Sequence, residues 1–327
     1  MAVKQYIEAI HDALQEEMAR DERVFVLGED VGVRGGVFRV TAGLIEQFGE
    51  YRVLDFPLTE SAIVGVAIGA AAAGMIPVAE IQFADFILPA VNQIISEAAK
   101  FRYRSNNDWN CPIVIRAPYG GGIHGALYHS QSMEALFTHV PGLKIVTPST
   151  PEDAKGLLVS AIRDPDPVLF FEHKKLYRSI RGEVPEGEYS TPIGKAAVRR
   201  EGDDITVITY GLGVHLALDA ASHLEKEGIS THILDLRTLR PLDEQAILEA
   251  ARKTGKVLIV HEDNKVCGVG AEVSAIIAEH ALFDLDAPVR RLAGPEVPAM
   301  PFSPTLEKAY MLNTDKVAQE MRALAKF

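Results

Sequence analysis

The sequence predicts an α/β protein made of two parallel-sheet domains. Short apolar runs alternate with helical stretches along most of the chain, as in parallel sheets covered by helices on both faces. The alternation stops at a segment rich in Gly, Pro and Glu and then starts again. The chain has 327 residues, of which 47% are hydrophobic, so each of two domains can bury its own core.

The first half of the chain opens with a helix, because Ile7, Ile10, Leu14 and Met18 recur at helical spacing on one face. Strands and helices then alternate. The predicted strands cover residues 24–27, 52–56, 76–82, 112–116, 143–147 and 168–171. The predicted helices cover residues 60–74, 87–101 and 151–163.

The second half repeats the pattern after a predicted linker at residues 182–192. We therefore expect one α/β domain at residues 1–181 and another at residues 193–327. In the second domain, strands are predicted at residues 205–210, 229–234 and 257–260, and helices at residues 214–227, 244–252 and 271–280.

Composition argues against several classes of protein. The net charge of −12 disfavours binding to nucleic acid or to an anionic membrane surface, and no apolar run is long enough to span a membrane. The two cysteines cannot form a disulfide framework. The acidic first turns of the chain do not fit a transit peptide or a secretory signal. These observations predict a cytoplasmic protein.

The first candidate for chemistry is Glu60, in the segment Pro57-Leu58-Thr59-Glu60-Ser61. Thr59 is placed to cap the helix that follows, so Glu60 falls in the first turn, where the helix dipole favours an acid. On position alone, that structural role outweighs a catalytic one. The helix is rich in Gly and Ala and can pack closely against another backbone. Such packing would bury the Glu60 carboxyl and raise its pKa, so that it could share a proton.

The second candidate is the glycine-rich segment 117–132, which follows a predicted strand and contains His124 and His129. Ligands often sit on such loops, and histidine moves protons near neutral pH; a flexible loop with solvated histidines is the alternative. These histidines lack a metal-ligand spacing.

Glu29 and Asp30 follow another strand and would line a site or a turn. Gly211 and Gly213 lack the third glycine of a dinucleotide fingerprint, which favours a strand-to-helix turn.

The chain has no loop of its own suited to the phosphates of a cofactor. Neither a Gly-x-x-x-x-Gly-Lys sequence nor a Gly-Asp-Gly sequence occurs, although an enzyme with a phosphate-bearing cofactor needs such a cradle. The sequence therefore looks like half of an active site.

Together these motifs resemble one family. They are Gly28-Glu29-Asp30-Val31, Pro57–Ile63, Ala79–Phe86, His129-Ser130-Gln131-Ser132, Pro141–Lys144 and Asp153–Leu158, with Asp235–Leu239 and Gly294-Pro295 in the second domain. The chain is similar over its whole length to the beta subunit of the thiamine-diphosphate-dependent decarboxylase component of 2-oxoacid dehydrogenase complexes. The segments 79–86 and 119–131 look most like the branched-chain members, which act on 2-oxoisovalerate (3-methyl-2-oxobutanoate) and related acids.

The resemblance implies a transketolase-like pyrimidine-binding domain followed by a transketolase C-terminal domain. It implies that Glu60 hydrogen-bonds a ring nitrogen of the aminopyrimidine and helps to activate thiamine diphosphate, and that Leu58, Gln82 and Phe86 surround the pyrimidine. His129 would serve proton transfer when the acyl group passes to a lipoyl group. Glu29 would lie on a proton route between two cofactor sites. No role is assigned to His124.

The family also implies partners and ions. An alpha subunit would carry Gly-Asp-Gly, magnesium and the diphosphate, in a tetramer of two alpha and two beta chains, and a lipoyl acyltransferase would receive the acyl group. Some members bind potassium, mainly through backbone carbonyls. The matching positions are Ile113, Ala161, Ile162, Asp164 and Asp166.

Three alternatives remain open at this point. The first is a pyruvate dehydrogenase beta subunit, since the pyruvate members have similar motifs. The second is a transketolase or deoxyxylulose-phosphate synthase, although those enzymes carry both halves in one longer chain. The third is a non-catalytic nucleotide-binding module, such as an electron-transfer flavoprotein subunit, which would depend on Gly211–Gly213.

Overall fold

The predicted apolar runs form the strands of two main sheets in a computed structural model that describes all of residues 1–327. By their contacts, the residues fall into two compact units. The first unit contains Met1–Tyr119 and Leu136–Ile193. The second contains Gly120–Ala135 and Gly194–Phe327, so the glycine-rich loop belongs to the second unit although it lies early in the sequence.

The first unit contains eight strands. They are β1 (Ala2–Gln5), β2 (Val24–Gly28), β3 (Val53–Asp55), β4 (Ile76–Glu80), β5 (Val114–Tyr119), β6 (Lys144–Val146), β7 (Val168–His173) and β8 (Arg181–Val184). Its α-helices are α1 (Tyr6–Arg20), α2 (Leu44–Phe48), α3 (Glu60–Ala72), α4 (Phe101–Arg104), α6 (Pro151–Arg163) and α7 (Leu176–Ser179), and α5 (Glu134–Thr138) begins in the second unit and ends in the first.

The main sheet of the first unit has the strand order β6-β7-β5-β4-β2-β3, and every pair among these strands is parallel. Gly28 at the end of β2 is level with Asp55 of β3 and with Glu80 of β4. The carboxyl ends of these strands therefore meet at one edge, where ligands bind in parallel sheets. This confirms the predicted α/β class with parallel sheets.

The helix predicted at residues 87–101 is wrong as a single α-helix. The chain there forms a 3-10 helix at Ala84–Ala90, a π-helical turn at Gln93–Glu97 and a second 3-10 helix at Ala98–Lys100, before α4. Pro89 lies inside the first of these and has no backbone N–H to donate. The apolar pattern was correct, but it does not distinguish a regular helix from this broken one.

The second unit has the strands β9 (Ala197–Arg200), β10 (Ile205–Thr209), β11 (Thr231–Asp235), β12 (Thr238–Arg240), β13 (Val257–Asn264) and β14 (Arg290–Gly294). Its α-helices are α8 (Leu212–Leu224), α9 (Glu244–Thr254), α10 (Val269–His280), α11 (Pro304–Tyr310) and α12 (Thr314–Leu324). Its sheet has the order β14-β13-β10-β11-β9. The edge strand β9 runs antiparallel to β11, whereas the other pairs are parallel.

Two further segments bear on the sequence predictions. The first three residues of the predicted linker, 182–184, belong to strand β8. This strand pairs antiparallel with β1. Gly211, with a φ of 54°, stands at the strand-to-helix turn before α8, as expected. No helix is long and apolar enough to cross a bilayer.

A buried charged cluster joins the central strands of the first unit. Arg116 of β5 is fully buried and lies 2.5 Å from Glu80 of β4. Its other nitrogens donate to both oxygens of Glu172 on β7, at 2.6 and 2.8 Å. The Tyr177 hydroxyl donates to Glu172 at 2.6 Å. Burial raises the pKa of Glu80, with Arg116 opposing the change, and burial followed by the charge of Glu172 raises the pKa of Tyr177 well above its usual value.

Replacing Arg116 should therefore be strongly destabilising. Arg116→Met leaves two carboxyl groups buried without their cation, which costs about 3–5 kcal/mol. For a unit of this size that corresponds to a fall of about 6–20 °C in the thermal midpoint. Thermal unfolding followed by intrinsic fluorescence measures the shift.

The control is Arg23→Met, which removes an ion pair whose arginine is 57% exposed. A surface pair contributes at most about 1 kcal/mol, so this variant should unfold close to the wild type. Equal midpoints for the two variants would contradict a structural role for the Arg116 cluster.

Candidate active site

Three residues proposed from the sequence converge at the carboxyl edge of the sheet in the first unit. Glu29 follows β2, Gln82 follows β4, and Glu60 opens α3. The Gln82 side-chain amide donates to the backbone carbonyl of Glu29 at 3.4 Å. Burial raises the pKa of Glu29, and the negative charges of Glu60 and Asp30 raise it further. The two glutamates therefore share one electrostatic environment.

Glu60 is buried by the way in which α3 packs. Ile63, Val64, Ala67 and Ala71 form the buried face of this helix, and Glu60 lies at the start of the same face with 8% of its surface exposed. Thr59 occupies the N-cap position, as predicted, but its side chain makes no capping hydrogen bond. A carboxylate in the first turn is favoured by the helix dipole, so the helix can hold a buried acid there without a cap.

The loop after Glu29 is fastened to the neighbouring strand β3. The Asp55 carboxylate accepts the backbone N–H of Gly32 at 2.6 Å and that of Val33 at 3.3 Å. A Cβ atom at Gly32 would lie 2.7 Å from the Asp55 carboxylate, so this approach requires glycine. The fastening holds the backbone around Glu29 in place beside Glu60.

Leu58 and Phe86 complete the set proposed around the pyrimidine. Leu58 is 77% exposed, and Phe86 is half-buried, with its ring edge-on to that of Phe83 at 5.8 Å. Phe83 in turn contacts Phe38 at 5.3 Å. Leu58 precedes Glu60 by two residues and Phe86 follows Gln82 by four, and an exposed leucine and an aromatic ring are side chains suited to covering a flat heterocycle.

The five positions proposed for potassium also lie in the first unit. They are Ile113, Ala161, Ile162, Asp164 and Asp166. The Ile113 carbonyl accepts from the Val168 N–H at 3.0 Å, and the Ala161 carbonyl accepts from the Asp164 N–H at 3.3 Å. Lys144 lies 2.6 Å from both oxygens of the Asp164 carboxylate. A cation here would therefore rely on the second lone pairs of the carbonyls rather than on this carboxylate.

His129 belongs to the loop of the second unit and is half-buried. The loop is closed by a hydrogen bond from the Gly120 N–H to the Gln131 carbonyl at 3.0 Å. His124 lies on the same loop, with its side chain 60% exposed and in contact with Glu307. No group of three or more His, Cys, Asp or Glu side chains is arranged to hold a metal ion.

Sequence reasoning missed the acids that surround this loop. Glu262 accepts the Gly121 N–H at 2.6 Å, and Asp263 accepts the Ala135 N–H at 3.4 Å. Glu134 is fully buried, with one oxygen 3.2 Å from the Tyr210 hydroxyl and the other without a partner. The run His261-Glu262-Asp263-Asn264, immediately after a predicted strand, was a signal that could have revealed them.

These acids are forced into a shared low-polarity environment. Burial raises the pKa of Glu134 well above its usual value, and the charge of Asp263 adds to the effect. Burial also raises the pKa of Asp263 to about 6. Glu134 and Asp263 therefore both keep a proton to higher pH than an exposed carboxyl group does.

Comparison with known proteins decides the family. Residues 3–179 match the family described as "Transketolase, pyrimidine binding domain", and residues 194–317 match "Transketolase, C-terminal domain". The chain is 71% identical over 327 residues to the 2-oxoisovalerate dehydrogenase subunit beta of Bacillus subtilis (strain 168), covering all of both chains. It belongs to the family of 2-oxoacid dehydrogenase beta subunits. The resemblance inferred from the motifs is thus confirmed.

Other relatives agree with this family. The pyruvate dehydrogenase E1 component subunit beta of the same organism is 50% identical over the full length of both chains. Among solved structures, a chain described as "Split gene transketolase, inactive beta4 tetramer" superposes with a TM-score of 0.80 at 24% identity, covering 98% of both chains. A Pichia stipitis transketolase mutant has a TM-score of 0.72 at 16% identity, and the match covers 46% of its chain. These structural likenesses support the fold.

The acids around the loop predict how stability depends on pH. The Asp263 carboxyl has a pKa of about 6 in the folded chain against 3.8 ordinarily, so the folded state binds this proton more tightly than the unfolded state does. The free energy of unfolding should therefore fall as pH rises from about 4 to about 6, and the penalty should persist above that range. Asp263→Asn should remove a penalty of the order of 1–3 kcal/mol at neutral pH.

Thermal midpoints of wild type and Asp263→Asn, compared at pH 5 and pH 7.5, measure this effect. The thermal midpoint of Asp263→Asn should exceed that of the wild type by more at pH 7.5 than at pH 5. Asp203→Asn, at an exposed position, should show no such difference. A gain for Asp263→Asn that is the same at both pH values would contradict the titration of this carboxyl.

Proposed function

We propose that this chain is the beta subunit of a branched-chain 2-oxoacid dehydrogenase (lipoyl-accepting 3-methyl-2-oxobutanoate dehydrogenase), with an active site completed by an alpha subunit. The observation that carries the proposal is the convergence of Glu29, Glu60 and Gln82 at the carboxyl edge of a parallel sheet. The 71% identity with a 2-oxoisovalerate dehydrogenase beta subunit supports the choice of substrate, against 50% for a pyruvate dehydrogenase beta subunit.

The residues of this edge fit the pyrimidine side of thiamine diphosphate. One carboxylate oxygen of Glu29 is buried and has no hydrogen-bond partner, and such an atom is costly unless a ligand or water supplies a donor. Glu60 is also buried, and its charge contributes to the raised pKa of Glu29. An aminopyrimidine offers donors and acceptors on one flat ring, which Leu58 and Phe86 could cover. Bound there, the cofactor would supply a carbanion and an electron sink for decarboxylation.

In this proposal, the Glu60 carboxyl would hydrogen-bond a ring nitrogen of a bound pyrimidine and exchange a proton with it. Glu29, whose pKa is raised by burial and by the charges of Glu60 and Asp30, would receive or relay a proton. Gln82 fixes the backbone of Glu29. In the second unit, His129 transfers a proton when the acyl group leaves for a lipoyl group on an acyltransferase component.

The partners are part of the proposal, and the likeness to a protein named a subunit beta supports them. The sequence has no Gly-Asp-Gly and no Walker-type loop, so we assign the diphosphate and its magnesium to the alpha subunit, in a tetramer of two alpha and two beta chains. The two cysteines are both free, in agreement with a reducing cytoplasm.

Co-expression with an alpha-type chain tests the shared site. The purified complex should decarboxylate 2-oxoisovalerate faster than pyruvate and should require thiamine diphosphate and magnesium. The isolated chain should be inactive under the same conditions. Activity from this chain alone would refute the shared site, and a preference for pyruvate would favour the pyruvate dehydrogenase alternative.

Glu60→Gln should nearly abolish decarboxylation by the complex. The substitution keeps the size of the side chain but removes the titratable carboxyl, and loss of a positioned acid or base typically costs about 10²–10⁴-fold. The exchange of the thiazolium proton with solvent deuterium, followed by NMR, measures the step directly.

A matched control separates catalysis from helix stabilisation. Glu244 is an exposed first-turn acid of α9, so Glu244→Gln removes a helix-dipole contact of the same type. That variant should retain full activity. If Glu60→Gln exchanged the thiazolium proton at the wild-type rate, Glu60 would be only a first-turn acid.

We also propose that potassium binds at Ile113, Ala161, Ile162, Asp164 and Asp166, mainly through backbone carbonyls. The Ile113 and Ala161 carbonyls each keep a second lone pair for a cation, since Lys144 and Arg102 already pair with the two aspartates. The thermal midpoint should be higher in potassium chloride than in sodium chloride at equal ionic strength. Identical midpoints in the two salts would refute the proposed potassium site.

A further inference from the structure

The loop that carries His129 has an unusual backbone. Two of its non-glycine residues, His124 and Ala126, have positive φ values of 58° and 56°. Such conformations cost an L residue about 1–3 kcal/mol and persist only where the surroundings enforce them. Because they lie on either side of Gly125, the strain is concentrated in one short turn of the loop.

Glu307 of α11 holds that turn at three points. One oxygen of its carboxylate accepts the backbone N–H of Gly122 at 3.1 Å and the backbone N–H of His124 at 3.2 Å. The other oxygen contacts Nδ1 of the His124 ring. Glu307 is buried with 3% of its surface exposed, and its carboxylate makes the contacts charge-assisted. The left-handed conformation of His124 thus has a visible cause.

The turn is packed directly against His129. A Cβ atom at Gly125 would lie 2.7 Å from the His129 carbonyl oxygen and 2.8 Å from the His129 Cβ. Real side chains do not approach so closely, so the Gly125 backbone rests against the base of the His129 side chain. A shift of His124 by a few tenths of an ångström would be transmitted to His129 through this contact.

We propose that His124 and Glu307 are positioning residues for His129. Glu307 accepts the backbone N–H of His124 and contacts its ring. The turn at Gly125 then sets the position of the His129 Cβ atom, against which it packs. The inference rests on the proposed role of His129 in acyl transfer to a lipoyl group. Neither residue needs to touch substrate. His124, the more exposed of the two loop histidines, is the one that Glu307 holds.

The test uses the reconstituted complex and two assays, decarboxylation with an artificial electron acceptor and acylation of a lipoyl domain. Glu307→Ala removes all three contacts and should lower acylation about ten- to hundredfold, since small misplacements of a reacting group have effects of this size. Decarboxylation with the artificial acceptor should stay close to the wild-type rate. A purely structural role would lower both rates together.

Two conservative variants sharpen the result. Glu307→Gln keeps an amide oxygen that can accept the Gly122 and His124 N–H groups, so it should recover most of the acylation lost in Glu307→Ala. His124→Gly keeps the left-handed backbone at no cost but loses the ring contact. Its acylation rate should lie between those of Glu307→Ala and Glu307→Gln. His280→Ala, which removes an exposed histidine near Glu279 outside the loop, should match the wild type.

A double variant and an exchange experiment decide between outcomes. If Glu307 acts through His129, adding Glu307→Ala to His129→Ala should cause no further loss of acylation. Additive losses, or wild-type acylation by Glu307→Ala, would overturn the inference. Amide hydrogen exchange at residues 120–125 should rise in Glu307→Ala, and unchanged exchange would also overturn it. Wild-type acylation by His129→Ala would instead refute the proposed role of His129, whatever the exchange shows.

Discussion

The first unit depends on a charged residue placed where a parallel sheet ordinarily has only apolar side chains. Arg116 is fully buried in β5 and joins Glu80 of β4 to Glu172 of β7. Such a cluster is tolerated only when its groups satisfy one another, because an unpaired buried charge is far more costly than a paired one. The cluster therefore constrains how these strands align, and the same alignment brings their carboxyl ends level.

The candidate site uses that alignment. Since Gly28 is level with Glu80 and with Asp55, the residues that follow β2 and β4 leave the sheet side by side, and Glu29 meets Gln82. A Cβ atom at Gly36 would lie 3.2 Å from Glu80, so the loop after Glu29 also packs over the charged cluster. The acid proposed as catalytic and the buried ion network are parts of one packed edge.

Sequence predicted those features that depend on local pattern. Pro151 to Arg163 was predicted as a helix and α6 has the same bounds, because Thr150 caps it and Pro151 begins it. The helix near Pro89 failed because periodicity does not report 3-10 or π geometry. Short edge strands such as β9 and β14 gave little apolar signal, since their residues are half exposed. Glu29, Glu60 and His129 remain proposals, because a motif names residues without showing what they bind.

The acids of the second unit were the hardest to predict, for a physical reason. Glu262 and Glu307 lie 141 and 185 residues along the chain from the amides they bind, and no periodicity relates such positions. Yet they follow one chemical rule: a glycine-rich loop exposes backbone N–H groups, and a buried carboxylate is the strongest acceptor for them. Under the proposed function, the loop must hold His129 still while an acyl group departs, which needs acceptors that do not move. Acids on a separate strand and helix provide them, which is why this loop belongs with the second unit rather than with the strand it follows.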